Sequence, residues 1–391
     1  MRRWCILLSA VATMIGKVAA QEMVKDSLKI DNEATKGERT ANLLLFLKTS
    51  AASDSGKGTA ERAYLNVDEA RVGLMGAYGD RLSYFVRFRL NRPMTPDDVD
   101  NASRALDFAF LTYQIGERRQ WEVTLGKQVA QVGSWETDSP FLREFFYTDY
   151  LNYYSNVFVT AATLARRLGE NHSLRLQVHN TLNSSFASHL KANGYVDTGF
   201  EAPETPLGLY LAWAGQLGRF QTLYSYNISQ FAKGYYTHTL SLGNQYKADR
   251  WAAYIDLVYS DMGVDFALLP SNLINEYKGA VKEHYLLQEG IVYKTAVARY
   301  DQQLTPHWSF SLKGSVETSG SRKELSENLR YNYQYVAVLQ YAPLSGEDLQ
   351  FFASYVGNTL HYSSLLNKPD SHFNHFAIGL YYKWTVLKSS F

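Results

Sequence analysis

Hydrophobic and polar positions alternate along this chain with a period of two. In residues 81–90, RLSYFVRFRL, one face carries Leu82, Tyr84, Val86, Phe88 and Leu90, and the other Ser83, Phe85, Arg87 and Arg89. Leu174, Leu176 and Val178 likewise oppose Arg175, Gln177 and His179. Trp308, Phe310, Leu312, Gly314 and Val316 oppose Ser309, Ser311, Lys313, Ser315 and Glu317. Trp251, Ala253, Ile255, Leu257 and Tyr259 share a face, as do Tyr331, Tyr333, Tyr335, Ala337, Leu339 and Tyr341. Strand side chains point to opposite faces in turn, whereas a helix repeats near ~3.6 residues. The runs predict sixteen strands, near 42–49, 64–76, 82–90, 105–115, 120–128, 157–168, 172–181, 207–215, 219–229, 236–246, 250–260, 285–299, 306–317, 331–341, 349–358 and 374–386.

Short turns at 78–80, 116–119, 169–171, 216–218, 247–249, 301–305 and 343–348 alternate with connections that are mostly longer, at 50–63, 91–104, 129–156, 182–206, 230–235, 261–284, 318–330 and 359–373. Short turns at one end of a meander and long loops at the other mark a membrane barrel. A soluble sandwich would instead pack the apolar faces into a core. Aromatic residues flank those faces, as at Trp251 and Tyr259, where interfacial girdles belong. Closure also leaves no unpaired edge, which hydrocarbon demands. The fold class is therefore all-β: a 16-stranded antiparallel transmembrane β-barrel with short periplasmic turns and long extracellular loops. Its apolar faces meet lipid, and Arg87 and Arg89 point into a wet lumen.

Composition adds a processing segment. Arg2 and Arg3, an apolar stretch from Cys5 to Ile15, and Val18 and Ala20 before Gln21 form a signal peptide over residues 1–20, cleaved after Ala20. Residues 21–40 read as a polar periplasmic leader, and 41–391 as a single barrel domain. The leader is far too small for a plug domain. Cys5 is the only cysteine, so the mature chain has no disulfide framework and no thiolate metal site. Of 39 Lys and Arg, three lie in the signal, leaving 36 against 38 acidic residues and a formal charge of −2. That balance gives no reason to expect a nucleic-acid partner. Beyond residue 20 no window reaches the ~18 apolar residues of a membrane helix, but a barrel escapes such detection.

The connection 129–156 is the candidate constriction. It mixes Trp135, Phe141, Phe145 and Phe146 with Glu136, Asp138, Arg143, Glu144 and Asp149. Ser139-Pro140 can start a short helix, Ser as N-cap and Pro at the first helical position, so that Phe141 and Phe145 share a face. Folded inward, that face packs on the barrel wall, and the acids line an eyelet opposite wall basics. The strand parity places Arg71, Arg87, Arg89, Arg175 and Lys313 on the lumen wall, with Glu69, Glu122, Asp256 and Glu317 as its acids. A near balance of signs predicts weak ion selectivity. The alternatives are an outer-membrane enzyme, or a structural or adhesive surface protein with a blocked lumen. His172, His179, His284 and His375 are scattered, with no G-x-S-x-G nucleophile motif beside them. The acidic run at 95–100 lacks the spacing of a calcium loop. No catalytic residue, metal ligand or cofactor is predicted.

Two stretches carry a family likeness. DEARVGLMGAYGDRLSYFVRFRL (68–90) resembles the second hairpin of the phosphate-selective porin O and P family, and WEVTLGKQVAQVGSWE (121–136) is similar to its strand before the constriction loop. The resemblance implies a Gram-negative outer-membrane porin: a homotrimer in outer-membrane lipid, inserted by the barrel assembly machinery, with its third loop folded into the pore. It further implies passive diffusion of small hydrophilic solutes and ions, with anions such as phosphate among the candidates. Two features depart from the family. The sequence shows no dense basic cluster of the kind phosphate specificity needs. Phe391 is preceded at alternate positions by Ser389, Leu387, Thr385 and Lys383, a weak match to the terminal assembly signal. The reading therefore expects a bulge or a short tail after Trp384.

Overall fold

The computed structural model describes residues 39–390 apart from 58–59, 96–99, 101, 156, 182–185, 197–198 and 345–347. The signal peptide, nearly all of the leader and Phe391 lie outside the described residues.

Sixteen strands close into one antiparallel barrel, each bonded to its sequence neighbours and the last to the first. They are β1 (Arg39–Ser55), β2 (Arg62–Tyr78), β3 (Leu82–Arg89), β4 (Leu106–Ile115), β5 (Trp121–Val129), β6 (Phe158–Leu168), β7 (His172–Asn180), β8 (Leu207–Leu217), β9 (Phe220–Ala232), β10 (Tyr235–Lys247), β11 (Trp251–Val264), β12 (Glu289–Gln303), β13 (Trp308–Ser321), β14 (Arg330–Tyr341), β15 (Asp348–Tyr362) and β16 (Ser371–Ser390). Each coincides with one predicted segment. The main differences are at the extracellular ends, where several strands run further than the alternation showed. The leader boundary also moves, because Arg39 and Thr40 already belong to β1. Short turns place glycine in the left-handed region, as at Gly169 (φ 71°) and Gly218 (φ 61°), where a Cβ would be strained.

The two faces separate as their chemistry requires. Leu111, Leu125, Leu211 and Ile255 are each more than half exposed. On a soluble protein such a continuous apolar surface would be an anomaly, and around a closed barrel it is the lipid contact. Rings crowd the periplasmic end of that band, with Trp308 4.8 Å from Tyr341 and Tyr246 5.2 Å from Trp251. Tyr259 stands eight residues above Trp251 on β11, ~27 Å along a strand at ~3.4 Å per residue. With a ~40° tilt this is a rise of ~20 Å, close to the ~25 Å apolar band of such barrels.

Three irregularities matter. The β3–β4 register shifts between Arg87 and Phe88, so Asp107 is an extra residue on β4. The β1–β16 register shifts at Leu43/Leu44, opposite Leu387/Thr385. The expected bulge near Trp384 is therefore present, but β16 pairs on to Ser390 and no tail is seen before that residue. The wall is also uneven: β3 and β5 have 8 and 9 residues, whereas β15 and β16 have 15 and 20. Along the low wall the β3–β4 loop folds onto the outer face. There Asp100 accepts from Lys127 Nζ (3.0 Å) and Thr160 Oγ1 (2.6 Å).

Candidate functional site: a loop docked across the lumen

The connection between β5 and β6 lies inside the barrel. Its first arm runs past β7 and β9, where Gln177 Oε1 accepts from Gln131 N (3.0 Å) and Ser225 Oγ from Gly133 N (2.8 Å). A four-residue helix, α1 (Trp135–Asp138), follows. It lies one turn before the predicted helix, and Ser139 ends it instead of capping its start. The start is held from the opposite wall. Asp256 on β11 accepts from Ser134 Oγ (2.8 Å), Trp135 N (3.0 Å) and Glu136 N (2.9 Å). A wall carboxylate thus satisfies amide donors that a helix start leaves open. Trp135 packs with Tyr254 and Val297 in a small buried cluster.

The tip docks on β1, β2 and β15. Phe141 lies 5.4 Å from Phe46 and under the Arg71 guanidinium at 3.7 Å. Phe145 meets Phe352 at 4.9 Å and carries the Lys48 ammonium over its ring at 3.6 Å. Both phenylalanines reach the wall from a turn and not from a helix. Arg143, half-buried between them, donates its amide to Pro140 O (2.8 Å).

Three of the loop's four acids do not face an open eyelet, and here the geometry differs from the sequence reading. Glu136, Glu144 and Asp149 are 1%, 5% and 6% exposed and turn onto the wall. Lys313 Nζ bonds Glu136, Glu144 Oε2 (3.0 Å) and Phe146 O (2.6 Å). Arg299 grips the other Glu144 oxygen, and Arg330 bonds Asp149, which Asn332 Nδ2 also reaches at 2.9 Å. Glu317 accepts from Asp149 N (2.7 Å) and Tyr150 N (3.0 Å). One wide π-type turn over Tyr150–Tyr154 closes the loop, with Tyr154 OH 2.7 Å from Thr295 Oγ1. The cause is desolvation. A carboxylate taken out of water needs a cation or several donors, and these wall residues supply them. Burial holds the Tyr147 hydroxyl above its ordinary value and pushes that of Tyr150 up to about 12, so both stay neutral.

Arg71, Arg87 and Arg89 are gathered elsewhere on the wall. They converge on Asp107 at 2.6, 3.0 and 2.6 Å, and Arg71 also pairs with Glu69 at 2.8 Å. The sequence shows no dense basic cluster, yet folding makes one, because the bulge on β4 turns Asp107 towards three arginines. Asp107, Lys48, Arg299, Arg330 and Asn332 were not singled out by sequence reasoning. Strand parity would have put Arg299 and Asn332 on the lumen face. The bulge that frees Asp107 leaves no mark in the alternation.

Beside the tip of the loop a space of about 180 Å³ is lined by Lys48, Glu69, Phe145 and His375. A second space lies between the first arm of the loop and strands β4–β9. Glu122, Thr124, Gln128, Thr163 and Arg175 line it from the wall, and Gln131, Thr137 and Asp138 from the loop. Small side chains at Ala165, Ala212 and Ala214 leave it room. Arg175 Nη1 donates to Gln131 Oε1 (3.0 Å), and the carboxylates of Glu122 and Asp138 lie within electrostatic range of its guanidinium. Of the four histidines weighed from the sequence, His375 bonds Asp54 (2.7 Å) and His179 bonds Asn180 O (2.9 Å). His172 stacks on Trp213, and His284 donates its amide to Val281 O (2.9 Å). No grouping of three His, Cys, Asp or Glu fit for a metal occurs among the described residues.

A closed sixteen-strand barrel with a lipid-facing apolar band and an inward third loop is an outer-membrane porin, a channel for passive diffusion. The family described as phosphate-selective porin O and P matches residues 51–384, and the chain belongs to it. Among solved structures it is similar to the outer membrane channel DcaP of Acinetobacter baumannii, at 13% identity and a TM-score of 0.63, over 90% of this chain and 99% of that one. It is also similar to an anion-selective porin from Comamonas acidovorans, at 10% identity and a TM-score of 0.59, over 88% and 100% of the two chains. OmpF of Salmonella typhi aligns over 88% and 98% of the two chains, at 14% identity and a TM-score of 0.56. At these identities the likeness establishes the fold. No curated protein matches the chain.

Proposed function

We propose that the docked loop is the constriction, and that small hydrophilic solutes and ions pass between its first arm and the β4–β9 wall. One observation carries this reading. The acids at the tip and return arm of the loop are bonded to the far wall, while Arg175 faces the space along β4–β9 with Glu122 and Asp138. One cation against two carboxylates gives weak selectivity and no strong preference for phosphate, despite the family name. The arginines around Asp107 then anchor the Phe141 side of the loop. In the same reading the protein is a homotrimer in outer-membrane lipid, joined along its low wall near 160–165 and inserted by the barrel assembly machinery after cleavage near Ala20. One related porin structure is described as a trimer form. No catalytic role is assigned to its histidines.

The test is single-channel conductance of the refolded protein in a planar bilayer, with the reversal potential under a salt gradient. Stepwise openings with a reversal near zero are expected. Glu122→Gln should move the reversal towards anions and Arg175→Gln towards cations. A folded barrel that does not conduct, or a strong anion preference indifferent to both substitutions, would overturn the assignment.

A further inference from the structure

The space beside the loop tip shares no lining residue with the space along β4–β9. Its wall residues stand on the extracellular side of the tip's own contacts. Lys48 and Ser50 lie above Phe46 on β1, Asp68 and Glu69 above Arg71 on β2, and Ser354 above Phe352 on β15. Glu144, Phe145 and Tyr147 line it from the loop. The β1–β2 register shifts between Lys48 and Thr49, which face Glu69 and Val67, so Asp68 is an extra residue on β2. The chamber encloses about 180 Å³, enough for several waters at ~30 Å³ each or for one small solute in their place.

Most of the charged groups around it are engaged. Arg71 forks onto Glu69, with Nε and Nη2 each 2.8 Å from one carboxylate oxygen. Arg299 and Lys313 hold Glu144, and His375 bonds Asp54 (2.7 Å). Lys48 and Asp68 differ: neither has an ion-pair partner among the described residues, although they lie within electrostatic range of each other. Lys48 is 5% exposed, donates to Glu144 O (3.0 Å) and lies over the Phe145 ring, which leaves an N–H unused. Asp68 Oδ1 accepts from Asn66 Nδ2 (2.8 Å), but its Oδ2 has no hydrogen-bond partner, and neither has Ser50 Oγ. A buried ammonium without an anion is costly, and a ligand that brings one offsets that cost.

We propose that this chamber binds a small zwitterion, an α-amino acid, with its carboxylate on Lys48 and its ammonium on Asp68. A neutral sugar would leave both groups unpaired. Inorganic phosphate would satisfy Lys48 but meet the carboxylates of Asp68, Glu69 and Glu144, and a metal cation would meet the ammonium. A solute carrying both signs completes both groups. Rotation of the Ser50 hydroxyl brings a further donor to the solute carboxylate, and Phe352 and Tyr147 stand beside its short aliphatic part. The inference rests on the docked tip and not on which space conducts, so failure of the conductance reading leaves it standing.

The test is saturation-transfer difference NMR of the refolded full chain in detergent, titrated separately with L-alanine, acetate and methylammonium, with inorganic phosphate as a competitor. L-alanine should give a saturable signal, and acetate and methylammonium should each bind roughly tenfold more weakly. Asp68→Asn keeps the oxygen that receives Asn66 and removes the charge, and should weaken L-alanine binding roughly tenfold. Lys48→Met should do the same, and if it releases the tip or fails to fold, Asp68→Asn decides. No saturable signal from wild type, acetate binding as tightly as L-alanine, or unaltered binding by Asp68→Asn would overturn the proposal. Displacement of L-alanine by phosphate at equal concentration would overturn it in favour of an anion site.

Discussion

Lys313→Met removes the cation on which the return of the loop depends. Lys313 Nζ makes three bonds to the loop: to both glutamates and to Phe146 O. At ~1.5–3 kcal/mol per charge-assisted bond the simple sum is ~5–9 kcal/mol. That sum is too large, since Glu144 keeps Arg299, and Glu136 keeps Thr148 N (3.0 Å) and Thr148 Oγ1 (2.7 Å). The measured cost of breaking a buried pair, ~3–5 kcal/mol, is the better figure. It shifts the docked-to-undocked ratio of the loop by roughly two to four powers of ten. The barrel need not unfold, because Glu136 and Glu144 regain water if the loop swings free and the strand ladder is untouched. Single-channel recording should therefore show larger and noisier openings, and brief proteolysis should cut within 139–149, while heat-resistant barrel mobility on a gel persists. Adding Glu136→Gln should restore part of the docking by removing one stranded charge. Quiet wild-type conductance in Lys313→Met would refute the claim that this ammonium holds the loop. Loss of the folded barrel would refute the claim that docking and barrel closure are separable.

Further tests address other parts of the molecule. Asp256→Ala strands Ser134 Oγ and the amides of Trp135 and Glu136, a cost of ~1–3 kcal/mol for each buried donor, and should raise protease access at α1. Phe141→Ala removes the ring beneath Arg71 and Arg87, and conductance should rise; unchanged conductance would remove the tip from the constriction. Asp265, buried just beyond β11, accepts from Leu268 N, Ser271 N and Tyr293 OH, yet burial pushes its carboxyl above the usual range. A raised folded value means that its contribution to stability is full below ~4, the unfolded value, and is lost as pH rises through the folded one. Asp265→Asn should flatten that part of the melting temperature against pH profile, and an unchanged slope would contradict the assignment.

The period-two alternation by itself determined the strand count, the lipid and lumen faces, and the alternation of short and long connections. It could do so because a strand embedded in a bilayer must satisfy two solvents at once, and every second residue records which. Leu111 or Ile255 is legible as lipid-facing from its neighbours alone. The constriction is different. That Glu144 meets Arg299, or that Asp256 closes the start of α1, depends on residues more than a hundred positions apart brought together by barrel closure. Glu136, Glu144 and Asp149 look free for an eyelet because sequence does not show which wall they will reach. Desolvation then made pairing obligatory wherever the loop docked. The arginines around Asp107 became a cluster through one extra residue on β4, which the alternation does not reveal. Where solvent dictates the residue, the sequence is readable. Where a buried charge takes whichever partner the fold brings within 3 Å, only the tertiary structure decides.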